Sequence, residues 1–159
     1  MATAAVTVSL VSSDRHWPTD SVTQLTPIWG EKTITFINID HDDDIVLLDG
    51  PFPANTYMQV SSVYVDVPLL DSDGTPTTDV AFGFGGVDGA IDSGYNLFGT
   101  GDHAAKNLNI DNVTVGVDPY LDISGLYFIM DVVTAATALA ADVDVEYGFN
   151  ITRQVRKYS

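Results

Sequence analysis

The chain has 159 residues, no cysteine, and 22 acidic against 6 basic side chains, for a formal net charge of −16. A domain of this size buries ~70% of the surface its unfolded chain exposes, and with 45% apolar residues a core can form without cross-links. The missing thiols exclude disulfides, thiolate zinc sites and cysteine nucleophiles, and the charge argues against nucleic acid and anionic membranes as partners, because both need clustered Lys and Arg.

From the N-terminus, "MATAAVTVSLVSS" places Val6, Val8 and Leu10 on one parity, which predicts a strand over Ala5–Val11. No Lys or Arg precedes those apolar residues, which argues against a signal peptide. Ser12 to Pro27 is polar and mixed and reads as part of a long loop at 12–31, followed by a strand over Lys32–Ile39. "NIDHDDD" (Asn38 to Asp44) then reads as a solvated turn before a strand at Ile45–Leu48. In "NTYMQVSSVYVDV" the period slips: Met58 and Val60 share one parity, and Val63, Val65 and Val67 the other. A one-residue bulge at Ser61–Ser62 would return all five to one face.

"VPLLDSDGTPTTDVAFGFGG" (Val67 to Gly86) combines a turn with a strand. Asp71, Asp73 and Asp79 could hold calcium, but Gly74 follows the second Asp directly and Phe82 stands where an EF-hand needs its bidentate Glu. Asp-Gly followed by Thr-Pro reads as the turn of a hairpin. Beyond it, Val80, Phe82 and Phe84 form an apolar face, while Ala81, Gly83 and Gly85 leave the other face nearly bare, so that another segment can approach the backbone or the strand can bend there. A second long loop, 85–107, is Gly-rich yet carries Tyr95, Leu97 and Phe98. Strands are predicted at Asn112–Val117 and across "LDISGLYFIMDVV", with a second slip at Ser124–Gly125. Only Asp131–Asp142 has helical composition, and its Val-Val and two Thr oppose a helix. "ADVDVEYGFNITR" alternates strictly, with Val143, Val145, Tyr147, Phe149 and Ile151 against Asp144, Glu146, Gly148, Asn150 and Thr152. The last seven residues hold Arg153, Arg156 and Lys157 and no acid, a basic tail 153–159 on an acidic body. About eight strands, little or no helix and turn-rich connections predict one all-β domain over 1–159, an antiparallel β-sandwich of jelly-roll type.

Chemistry is sparse. No stretch assembles a nucleophile, a base and an oxyanion site, so no catalytic residues, cofactor or metal are assigned and the chain is not read as an enzyme. His16, His41 and His103 lie far apart in polar segments. The acids of Asp40–Asp44 are consecutive, and consecutive extended residues point opposite ways, so they converge on a cation only in a tight turn. Trp17, Trp29, Tyr95 and Phe98 could line a sugar-binding face, although core or interface aromatics are commoner.

The order of motifs is more telling than any one of them. "FPANTYMQVSSVYVDVPLLDSDGTPTTDVAFGFGGVDGAID", then "GYNLFGTG", then "AATALAADVDVEYGFNITR" resembles a pattern of small virion proteins of tailed bacteriophages, over the two-thirds of the chain from Pro51 onward. The resemblance implies a jelly-roll capsid decoration (cement) protein. Such a protein sits on the outer surface of the phage head, clamps major capsid subunits and forms homo-oligomers at local symmetry axes, a trimer being favoured. It brings no catalytic residues. Contacts are then expected from Tyr95, Leu97 and Phe98, which are too apolar to leave free, and from Arg153, Arg156 and Lys157, which can pair with acids on a neighbouring protomer or on the capsid. The alternatives are a tail- or fibre-associated virion sandwich and a carbohydrate-binding module.

Overall fold

The computed structural model describes residues 25–87, 91–98, 108–110, 120–138 and 142–153. The chain is all-β, with strands β1 (Thr26–Ile34), β2 (Ile45–Asp49), β3 (Tyr57–Gln59), β4 (Tyr64–Val67), β5 (Asp79–Gly85), β6 (Leu108–Ile110), β7 (Tyr120–Asp122), β8 (Tyr127–Thr134) and β9 (Val143–Thr152). They form two antiparallel sheets packed as a sandwich. The larger sheet is built on β9, which carries β1 along one edge and β4 and β3 in succession along the other, with β6 and β7 outside them. The smaller sheet has the order β2-β8-β5. Strands Ala5–Val11 and Asn112–Val117 lie outside the described residues.

The alternation read from the sequence is the sandwich interior. Val80, Phe82 and Phe84 of β5 and Val145, Tyr147 and Phe149 of β9 are buried in one core, with Val143 and Ile151 packed against it. Phe128 of β8 sits at the centre, with ring centroids 5.2 Å from both Phe84 and Tyr147 and 5.6 Å from Phe149. The Tyr147 hydroxyl crosses the sandwich to the Leu48 carbonyl (3.1 Å) and the Asp49 carboxylate (2.9 Å), so one polar tip inside the core ties β9 to β2. Burial first, and the Asp49 carboxylate second, push this phenol well above its ordinary range.

Both phase slips are real, but neither is a one-residue bulge. Between β3 and β4 the chain makes a 3-10 turn, Val60–Ser62. Ser62 Oγ donates to the Gln59 carbonyl (2.7 Å) and accepts from the Asn150 amide (2.8 Å), replacing a ladder bond that the turn removes. Met58, Val63, Val65 and Val67 are consequently all buried, with Val60 packed against them. At Ser124–Gly125 the slip is a change of sheet. β7 belongs to the larger sheet and β8 to the smaller, and Gly125 takes φ +74° in the turn between them. That is the left-handed region where a side chain is strained.

Three boundaries move. β1 begins at Thr26, inside the expected 12–31 loop, and ends at Ile34. Residues Phe36–Asn38 then form a 3-10 turn in place of the rest of the Lys32–Ile39 strand. The cause is local capture: Asn38 Oδ1 accepts the Thr35 amide (2.8 Å), while Asn38 N and Ile39 N donate to the Thr35 and Phe36 carbonyls. Ile34 and Ile39 stay buried, while Phe36 and Ile37 turn outward. The segment with helical composition begins as β8. Finally, the Asp71 turn does not join paired strands. β4 and β5 lie in different sheets, so residues 68–78 form an inter-sheet corner, not a hairpin.

Candidate interaction surface

The apolar loop residues are accounted for within the chain. Residues 91–98 run along the free edge of β5: Leu97 N donates to the Phe82 carbonyl (2.8 Å), Phe84 N to the Tyr95 carbonyl (3.2 Å) and Asp92 N to the Phe84 carbonyl (2.9 Å). Leu97 is fully buried, and Phe98, 6% exposed, packs edge-on against Phe82. These two side chains, expected from the sequence to meet a neighbour, place their apolar surface in the chain's own core. Tyr95 is half-buried and donates its hydroxyl to the Asp122 carbonyl (2.8 Å). Burial, then the charges of Asp122 and Asp92, push its phenol up.

The bare face of β5 is what admits this segment. A Cβ on Gly83 would fall inside hard contact with the Tyr95 carbonyl and 2.6 Å from Ile91 Cγ2, whereas Gly86 has open space around it. Gly83→Ala is expected to cost about 2–3 kcal/mol, the upper part of the usual range of about 1–3 kcal/mol for overpacking, because the group it meets is backbone, and Gly86→Ala close to nothing. Urea unfolding of the two variants side by side checks this.

Of the basic residues, Arg153 is exposed and its Nη2 reaches the Ala54 carbonyl at 3.4 Å. Arg156 and Lys157 lie outside the described residues, as does Trp17.

Sequence reasoning missed the end of the sandwich formed by residues 36–44, 69–78 and 133–138. Backbone bonds join these segments: Ala136 N to the Ile39 carbonyl, Asp43 N to the Val132 carbonyl and Ser72 N to the Ala138 carbonyl, each 2.7 Å. The end carries exposed apolar side chains, Ile37 (76%), Val133, Leu69 and Phe36, among Asp40, Asp42, Asp43, Asp44 and Asp73. Phe36 and Ile37 were hidden because alternation placed them inside a strand. At the corner, Asp71 is fully buried and its carboxylate accepts from Asp73 N, Thr77 N, Thr78 Oγ1, Thr137 N and Ala138 N, all at 3.0–3.1 Å. Burial alone would raise its pKa, but the backbone donors outweigh it and hold the group well below the ordinary carboxylate value.

Two clusters bear on metal binding. Both Asp71 oxygens are engaged by N–H and O–H donors, so they face hydrogens where calcium would need free lone pairs. In the other turn the chain is tight enough to bring ligand atoms of Asp40, His41 and Asp44 within 4.8 Å of one another. The turn has its own internal partners: His41 Nδ1 lies 2.8 Å from Asp40 Oδ1, Asp44 Oδ2 accepts His41 N (3.0 Å), and Asp42 Oδ1 accepts Ala135 N (2.8 Å). Thermal melts in calcium and in chelator are expected to superpose, and a calcium-induced rise of several degrees would show ion binding in the native state.

The outer face of the larger sheet holds a further feature. Trp29, 61% exposed, stands opposite Gly148, and the Tyr64 ring lies on Gly148 from the other side. Beside this pair, Glu31, Glu146 and Asp66 stand directly across from one another on three adjacent strands. Like charges so placed repel.

No protein-family model matches the chain, and no curated protein sequence matches it. Two solved structures share its fold over nearly its whole length. A chain in the capsid of Ralstonia phage GP4 superposes with a TM-score of 0.61 at 19% identity, covering 89% of this chain and 93% of that one. The fold is one that phage capsids contain. A chain of the cyanophage Pam1 capsid asymmetric unit superposes with a TM-score of 0.53 at 14% identity, covering 91% of this chain and 93% of that one.

Proposed function

We propose that the chain is a structural, non-enzymatic virion protein that decorates the outer surface of a phage head and bridges major capsid subunits. The observation that carries this reading is the pair of capsid neighbours. Each is matched over nine-tenths of its own length, so chains of this size and fold occur as capsid components. The motif order from Pro51 onward supports the decoration type independently. The sandwich supplies a rigid body, and the acidic end with Phe36, Ile37, Leu69 and Val133 supplies a face suited to a basic, partly apolar surface on the shell. The basic tail, with Arg153, Arg156 and Lys157, joins acids of a neighbouring copy or of the shell in a homo-oligomer, a trimer being favoured.

The test is to add purified chain to heads assembled without it and to image them. Expected are projections on the outer surface at local symmetry axes, and a paired Phe36→Ser, Ile37→Ser variant that melts normally but binds at least tenfold more weakly. Absence of binding, or attachment to tails alone, would sink the proposal. Exposed Trp29 favours one alternative, a carbohydrate-binding module, which would show glycan binding abolished by Trp29→Ala.

A further inference from the structure

The two long sheet edges of this molecule are treated differently. The edge of β5 is closed by residues 91–98 through three backbone hydrogen bonds. β1 is nine residues long and pairs with β9 from Thr26↔Ile151 to Ile34↔Val143. Among the described residues, no backbone hydrogen bond reaches its other edge. The remaining outer strands are short: β2 has five residues, and β6 and β7 have three each. An open edge of this length displays a row of unpaired N–H and C=O groups and is a template for another strand. Ile28, on its inward parity, is only half-buried, so a strand added there would also cover apolar surface. Pro27, which has no N–H to donate, and Lys32, on the inward parity but exposed, limit the usable edge to about Ile28–Glu31.

The chain contains a segment with the matching pattern. Its first 13 residues carry no charged side chain, although the whole has a net charge of −16, and within them Val6, Val8 and Leu10 alternate with Thr7 and Ser9. An added strand needs this pattern, with one apolar face to continue the core side of the sheet and one small polar face outward. Residues 12–25 separate that segment from β1. A strand folding back on its own neighbour needs a loop of only about 2–5 residues. Fourteen residues reach up to about 50 Å when extended, farther than the roughly 30 Å length of β1 itself. The connection is thus long enough to leave its own subunit.

We propose that Ala5–Val11 of one copy adds as a strand to the open edge of β1 in a second copy. This rests on the homo-oligomer part of the reading above and is independent of capsid attachment.

The lack of native cysteine makes the test direct. Chains with Thr7→Cys or Ser9→Cys are mixed with chains carrying Trp29→Cys or Glu31→Cys and oxidised. A covalent dimer joining the two different variants is expected. A doubly substituted chain that cross-links only within itself, even at high concentration, would overturn the proposal in favour of an intrachain strand. A chain lacking residues 1–13 should melt as a folded protein, sediment as a smaller species, and exchange the edge-facing amides of residues 28–31 at least tenfold faster than the full chain. Unchanged mass and unchanged exchange on deletion would overturn the strand addition while leaving oligomerisation through other surfaces intact. A full chain that is monomeric at all concentrations would overturn both. Head binding by the deleted chain, measured separately, reports on decoration alone.

Discussion

Asp71→Ala is expected to lower stability by about 4 kcal/mol, because it leaves four backbone N–H groups and one hydroxyl without their acceptor inside the corner. The donors come from both sides of the sandwich end, Asp73, Thr77 and Thr78 on one segment and Thr137 and Ala138 on the other. Loss of the carboxylate therefore uncouples two pieces of chain. Asp71→Asn keeps one acceptor oxygen but turns an NH2 group toward N–H donors, and about 2–3 kcal/mol is expected from that mismatch. The pH dependence follows from the direction of the shift. The folded state holds the group below its ordinary value of 3.8, so its contribution is complete above about pH 5 and is lost as the pH falls through that value toward the depressed one. Urea midpoints at pH 7 and at pH 3 should differ more for the natural chain than for Asp71→Asn. Equal differences would show that this carboxylate does not govern the acid limb.

Phe149→Ala should cost ~3–5 kcal/mol, the range for emptying an aromatic site in a packed core. Its ring meets Phe52, Phe84 and Phe128 edge-on and stacks with Tyr147, with centroids at 5.6–6.4 Å. These partners come from both sheets, so the cavity would open at the seam of the sandwich, where neither sheet can relax alone. Phe149→Leu keeps most of the volume and should lose less than half as much. Chemical denaturation of the two variants, with unchanged m-values, checks the result. A cost near zero for Phe149→Ala would mean that the site is not a packed core position.

The strands read most clearly are those with one dry and one wet face. In β9 every second residue from Val143 to Ile151 faces the core, and a period of two is visible without knowing the partner strands. The Gly-bare face of β5 was also legible as a place of close approach, but the segment that approaches it was not. Leu97 and Phe98 sit on a Gly-rich loop, and nothing local says whether such a loop folds inward or reaches outward. Asp71 shows the same limit. "DSDG" is turn chemistry wherever it occurs, yet two of the five donors that make this turn a buried corner stand more than 60 residues away. Phe36 and Ile37 failed for the opposite reason, because a short-range bond from Asn38 to the Thr35 amide overrode an alternation that looked continuous.

The central place of β9 also sets a timetable for synthesis. β1, β3 and β4 all pair with this strand, β3 and β4 having β7 and β6 as second partners, and β1 meets it across more than 100 residues of sequence. As the chain leaves the ribosome, β1 emerges early and has no ladder partner among the described strands until Val143–Thr152 follows. The larger sheet therefore closes after translation has passed Thr152, in a step dominated by long-range contacts of the kind that fold slowly. Until then β1 stands as an open edge among the described strands, and the dense negative charge of the chain disfavours association of unfinished copies.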